Sequence, residues 1–165
     1  MTYTDGLIKS EMIVLISMGE VEEATLETLR QPFTEVFGQR TQIGTRLQLL
    51  RESWNHHRGQ HLATMLLTLI PLPRPEDRAL GVADIDILAP GLNFVFGEAD
   101  ITGKRALISL QRLRQEFYGL PQDENLFQER ALKEAVQERG QIRLLYFEPH
   151  IPPPYLTKTW QKDWK

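Results

Sequence analysis

The chain has 165 residues, 41% of them apolar and 25% charged, with 19 basic against 22 acidic side chains and a formal net charge of −3. This length suits one domain with a real core, the composition is that of an ordinary globular protein, and a pI near 5.8 gives no electrostatic case for nucleic acid. Zero cysteines exclude disulfides and every thiolate metal site.

Met1-Thr2-Tyr3-Thr4-Asp5-Gly6 has neither a basic stretch nor a long apolar run, so no signal peptide and no membrane anchor are expected, and the expected location is the cytoplasm. Ile13-Val14-Leu15-Ile16-Ser17-Met18, ended by Gly19, predicts a buried strand. From Val21 to Phe37 the apolar residues Ala24, Leu26, Leu29, Phe33, Val36 and Phe37 recur at helical spacing, with Gly38 as C-cap and a kink expected at Pro32. Thr41 to Leu50 predicts a second strand. Arg58 to Ile70 predicts a helix with Leu62, Met65, Leu66 and Leu69 inward, stopped by Pro71-Leu72-Pro73-Arg74-Pro75.

Leu80 to Ile87, Asn93 to Ala99 and Arg105 to Leu110 predict three further strands, joined by turns at Pro90-Gly91 and Thr102-Gly103, and a last helix begins near Asp123. The expected fold class is α/β (α+β), a single domain in which a mixed sheet of about five strands packs against two main helices. There is no internal repeat. Pro149, Pro152, Pro153 and Pro154 force an extended conformation, so the chain divides into a domain over 1–150 and a Pro-rich tail over 151–165 that carries Trp160 and Trp164 one helical turn apart.

Gln137-Glu138-Arg139-Gly140-Gln141 has the frame of a zinc-protease helix, in which two histidines at i and i+4 hold the metal around a glutamate general base. Both ligand positions are glutamine. The frame alone is weak, because Q-E-x-x-Q on a charged helix is common. Its surroundings are more specific: Arg58-Gly59-Gln60, Leu80-Gly81-Val82-Ala83-Asp84-Ile85-Asp86, Pro90-Gly91-Leu92-Asn93-Phe94-Val95-Phe96-Gly97-Glu98-Ala99, Ser109-Leu110-Gln111-Arg112-Leu113, Glu129-Arg130 and Lys133-Glu134.

In these segments, which run over most of the chain, the sequence resembles the archaemetzincins, small metzincin-type metalloproteases. The resemblance implies the metzincin layout and the signature H-E-x-x-H-x-x-G-x-x-H-C-x-x-x-x-C-x-M. Laid on this chain without a gap, the zinc-binding histidines fall on Gln137, Gln141 and Phe147, and the general base on Glu138. The signature glycine falls on Leu144, the cysteines of a structural zinc site on Glu148 and Pro153, and the Met-turn methionine on Tyr155. The expectation is therefore a degenerate member with both zinc sites lost, Glu138 vestigial, and no metal or other cofactor. With Leu144 in place of glycine, the helix is expected to run on by about one turn.

Without zinc the attacking water keeps a pKa of about 15.7 instead of about 7, a gap of roughly 12 kcal/mol. General-base help from Glu138 is worth about 10²- to 10⁴-fold and leaves most of that barrier. The chain is accordingly expected not to be an enzyme but a peptide- or protein-binding or regulatory module, with a protein or peptide partner and neither nucleic acid nor membrane. By resemblance its cleft strand is Asn93 to Glu98, and Asn93, Phe94, Phe96, Gly97 and Tyr155 are the expected peptide-binding residues. The alternatives are a structural subunit whose cleft is plugged, and an active metallopeptidase with unusual ligands.

Three smaller features have two readings each. His57 and His61 form a two-ligand pair if a helix begins early enough, or are surface histidines. Asp84 and Asp86 are a cation site or strand-end aspartates, and Arg105, Arg112 and Arg114 are a basic patch or a solvated face.

Overall fold

The computed structural model of the chain describes residues 12–72, 74–100 and 104–144, those from 137 onward as helix backbone. Strand β1 (Met12–Met18) lies inside a five-stranded mixed sheet of order β2-β1-β5-β8-β7. β2 (Arg40–Ile43), β5 (Arg78–Ala83) and β8 (Arg105–Ser109) run parallel to β1 and so to one another. β7 (Gly97–Asp100) pairs antiparallel with β8 at the sheet's edge. A parallel sheet is covered on both faces, so its strands read as continuous apolar runs, and all six residues of β5 are buried.

Alternation along β1 sends Ile13 and Leu15 into one core and Val14, Ile16 and Met18 into the other. The first core is closed by helices α1 (Glu23–Phe37) and α3 (Glu124–Leu144), through Leu26, Leu29, Phe33 and Phe37 of α1 and Phe127, Ala131, Ala135 and Val136 of α3. Those spacings of three and four residues place each set on one helical face. α1 ends at Gly38, whose φ of 64° suits glycine and whose N–H donates to the Thr34 carbonyl. At the start of α3, Asp123 Oδ1 accepts from Leu126 N at 3.0 Å.

The second core is closed by the short helix α2 (Ala63–Leu69), with Ala63, Leu66 and Leu67 buried. Its packing requires glycine at position 81 in β5: a Cβ there would lie 2.7 Å from both Ile70 Cδ1 and Met18 Sδ. A second sheet, β3-β4-β6, consists of Trp54–Asn55, Gln60–Leu62 and Ile87–Leu88.

The mixed α/β class of the sequence reading is borne out, with three helices in place of two. Several boundaries are corrected. The helix expected from Arg58 starts only at Ala63, because Gln60–Leu62 is held as a strand by β3 and β6. The strand expected over 41–50 ends at Ile43, Leu47 contributing one bridge to Met18. That expected over 80–87 divides into β5 and β6, and that over 93–99 begins at Gly97. α3 continues through Leu144 without a break at Gly140. The proposed tail, 151–165, lies outside the described residues. Among the described residues no helix is long and apolar enough to cross a membrane.

Candidate functional site: the cleft edge and helix α3

β7 has a strand on one side only. Phe96 accepts from Ser109 N at 2.8 Å, which sets the alternation: residues 96, 98 and 100 turn their backbone groups toward β8, and Gly97 and Ala99 turn theirs outward. No strand pairs that outer edge among the described residues. Just before it, Val95 N donates to the Ile87 carbonyl at 3.1 Å, so β6 closes the edge up to residue 95 and leaves it open from Gly97. Of the side chains, Glu98 accepts from Thr64 of α2 at 2.9 Å, and Ala99 packs into the core beneath α1 and α3.

The lead-in to β7 is built by side chains. The Asn93 carbonyl accepts from Arg58 Nη2 and from Gln60 Nε2, each at 2.9 Å. The Phe94 ring stands edge-on to Phe96, with centroids 5.3 Å apart. The Arg112 guanidinium lies 4.1 Å from the Phe94 centroid and 4.7 Å from that of Phe117, and it donates to both oxygens of Asp86 at 2.6 and 2.8 Å. Those hydrogen bonds hold its pKa above the ordinary arginine value, against the opposing effect of burial. Gln60 Nε2 completes the ring by donating to Asp86 Oδ2 at 3.0 Å.

Asp84 and Asp86 are therefore arginine partners and not a cation site, since Arg114 Nη1 reaches Asp84 at 2.5 Å. The sequence singled out the two aspartates and the two arginines separately. The signal that joins them is their common spacing of two residues just after the adjacent parallel strands β5 and β8. His57 and His61 are not an i, i+4 helical pair: His61 is on β4 and His57 in the preceding turn. Ser53 Oγ donates to the Leu50 carbonyl at 2.6 Å, so it accepts from His61 Nδ1 at 2.7 Å and fixes that ring's tautomer.

Gln137, Glu138 and Gln141 lie on α3, and an interval of four residues puts Gln137 and Gln141 on one face. Glu134, one turn earlier on the same stripe, is fully buried, a feature that its charge hid in the sequence. The structure places Asn93, Phe94, Phe96 and Gly97 in one segment leading into β7, while Phe147 and Tyr155 lie outside the described residues.

The layout is thus three-layered, with an antiparallel edge strand beside the last helix. The Peptidase family M54 profile matches residues 76–149. An archaemetzincin of Methanocaldococcus jannaschii is 46% identical over 130 residues, covering 79% of this chain and 71% of the relative. One of Pyrococcus furiosus is 37% identical over 153 residues, covering 87% and 78%. The crystal structure of Archaeoglobus fulgidus archaemetzincin, complexed with malonate, superposes with a TM-score of 0.68 at 34% identity, covering 79% of this chain and 77% of that one. The chain belongs to the archaemetzincin family.

This overturns the expectation that the chain is not an enzyme: the relatives are archaemetzincins, the matched family is a peptidase family, and the match spans the helix on which that expectation rested. The family implies zinc. The donor set that the gapless signature assigns does not fit that ion, because a neutral glutamine carbonyl is a poor zinc ligand and a phenyl ring is none.

Proposed function

We propose that this archaemetzincin holds an extended peptide against the outer edge of β7, and that its α3 helix does not bind zinc through Gln137 and Gln141. The observation that carries the first half is the open backbone of Gly97 and Ala99, at a strand already paired antiparallel on its inner side. A guest strand there gains main-chain hydrogen bonds, and Gly97 adds no side chain to obstruct it. Phe94 and Phe96 supply apolar surface at the approach. The amide chemistry of the two glutamines supports the second half. The partner is a peptide or an unstructured protein segment.

The test of the first half is Ala99→Pro. It removes one outward N–H, a change tolerated at a sheet edge, and leaves the β7–β8 bonds in place. Binding of a fluorescent extended peptide is expected to weaken by about tenfold, the value of one or so hydrogen bonds, in a chain that circular dichroism shows to be still folded at the assay temperature. Unchanged binding in a folded variant overturns the edge. Cleavage of the bound peptide is the activity to assay beside binding. For the second half, elemental analysis is expected to find no zinc lost on Gln137→Ala/Gln141→Ala; about one zinc per chain that disappears in that variant overturns it.

A further inference from the structure

At the carboxyl ends of the parallel strands lies a crevice of ≈ 420 Å³ that the peptide edge does not use. The residues just past each strand build it: Glu20 and Glu22 after β1, Arg46 after β2, Asp84 after β5 and Leu110 after β8. The connections from β1 and from β5 leave in opposite directions along the sheet, β1 toward β2 and β5 toward β8. In open α/β sheets such a switch point is where the backbone opens a cleft that a ligand can enter. On α3 this crevice is at Phe127, ten residues and about 15 Å of helix away from Gln137.

The lining carries both signs of charge. Arg46 is oriented by a 3.1 Å bond from Nη2 to the Val21 carbonyl and has no carboxylate partner among the described residues. Arg114 is pinned between Asp84 and the face of Phe127, 4.4 Å from its centroid. Glu20 and Glu22 make no ion pair among the described residues, and Glu124 also lines the crevice. A polyanion such as a nucleotide would meet these carboxylates. A bare divalent cation would meet no group of three or more acidic or histidine side chains able to hold it, among the described residues.

We propose that the crevice is a second binding site, for a small zwitterion of the α-amino acid type, a free amino acid or a dipeptide. Its carboxylate pairs with the Arg46 and Arg114 guanidiniums, its ammonium with Glu20 and Glu22, and its body rests over the Val21, Leu110 and Phe127 floor. A bidentate guanidinium clamp suits a carboxylate, and the volume is within the small-ligand range.

The experiment is an NMR titration of the full chain with L-alanyl-L-alanine and with L-alanine, the two arms distinguishing dipeptide from amino acid. N-acetyl-L-alanyl-L-alanine, which lacks the ammonium, and L-alanyl-L-alaninamide, which lacks the carboxylate, are the controls. Saturable shifts confined to the crevice are expected for at least one zwitterion, with about tenfold or greater weakening for each capped form, as for loss of a charge-assisted bond. Arg46→Gln, which also gives up the bond to the Val21 carbonyl, is expected to weaken the zwitterion by a similar factor while the chain stays folded, as unaltered NMR signals away from the crevice would show. No shifts from either zwitterion at about 10 mM, roughly tenfold above the Kd of a millimolar ligand, overturns the site. Equal binding of a capped form, or unaltered binding in Arg46→Gln, overturns the charge pairing that defines it.

Discussion

The Asp86 carboxylate accepts from two nitrogens of Arg112 and from Gln60, while its main-chain carbonyl accepts from His61 N. Asp86 and Arg112 side chains are only 15% and 22% exposed, so removing the acid strands a half-buried guanidinium and an amide. Asp86→Ala is expected to cost about 2–4 kcal/mol in urea unfolding, and Asp84→Asn, at an ion pair exposed by 28% on each side, about 1 kcal/mol or less. His61 gives a pH signature. Burial lowers its pKa below the ordinary 6.5, so the folded state binds fewer protons than the unfolded chain once pH falls below that value. Stability contributed by neutral His61 is thus fully present above pH 6.5 and is lost as pH falls from there toward the lower folded pKa. Unfolding at about pH 7.5 and 5.5 is expected to show a smaller difference for His61→Asn than for the natural protein.

Among elements, Gly81 tests how closely α2 and its flanks press on the sheet. In Gly81→Ala the added methyl meets the ends of Ile70 and Met18 at 2.7 Å, and their partial retreat is expected to cost about 1–3 kcal/mol by thermal or chemical unfolding. The elements legible in the sequence were those with a period of their own. β1 is a continuous apolar run, and α1 repeats Leu26, Leu29, Phe33 and ends on Gly38. What stayed hidden depends on partners distant in sequence. Gln60–Leu62 has the pattern of a helix start, yet His61 pairs with Ile87 and Gln60 bonds Asn93, contacts that no local window contains. The segment Asn93 to Gly97 was singled out only through resemblance to a family, and what the structure adds is its place, leading into the open edge of β7. The crevice residues were not legible, because they are spread over the segments after four different strands and the starts of two helices, and only the parallel order brings the four strand ends together.

At the scale of the molecule, the sheet order predicts a gradient of stability. β1 and β5 are paired on both sides and buried on both faces, whereas β7 and β3 are paired on one side only. Native-state hydrogen exchange is expected to be slowest for the amides of β1 and β5, approaching global unfolding, and faster at Gly97, Ala99 and β3. A uniform rate across the sheet would contradict that order. The open edge of β7 is thus drawn from the less protected part of the fold and the crevice from the ends of its firmest strands. β7 has a further consequence, for the company that the protein keeps with itself. Its sequence, Gly97-Glu98-Ala99-Asp100, sets two carboxylates on an edge that is otherwise free to zip to any strand. Two copies meeting edge to edge would bring four such carboxylates into one narrow seam, an arrangement that opposes self-pairing. A strand carrying lysine or arginine would meet no such barrier, so the same pair of acids would sort what can pair with this edge by its charge.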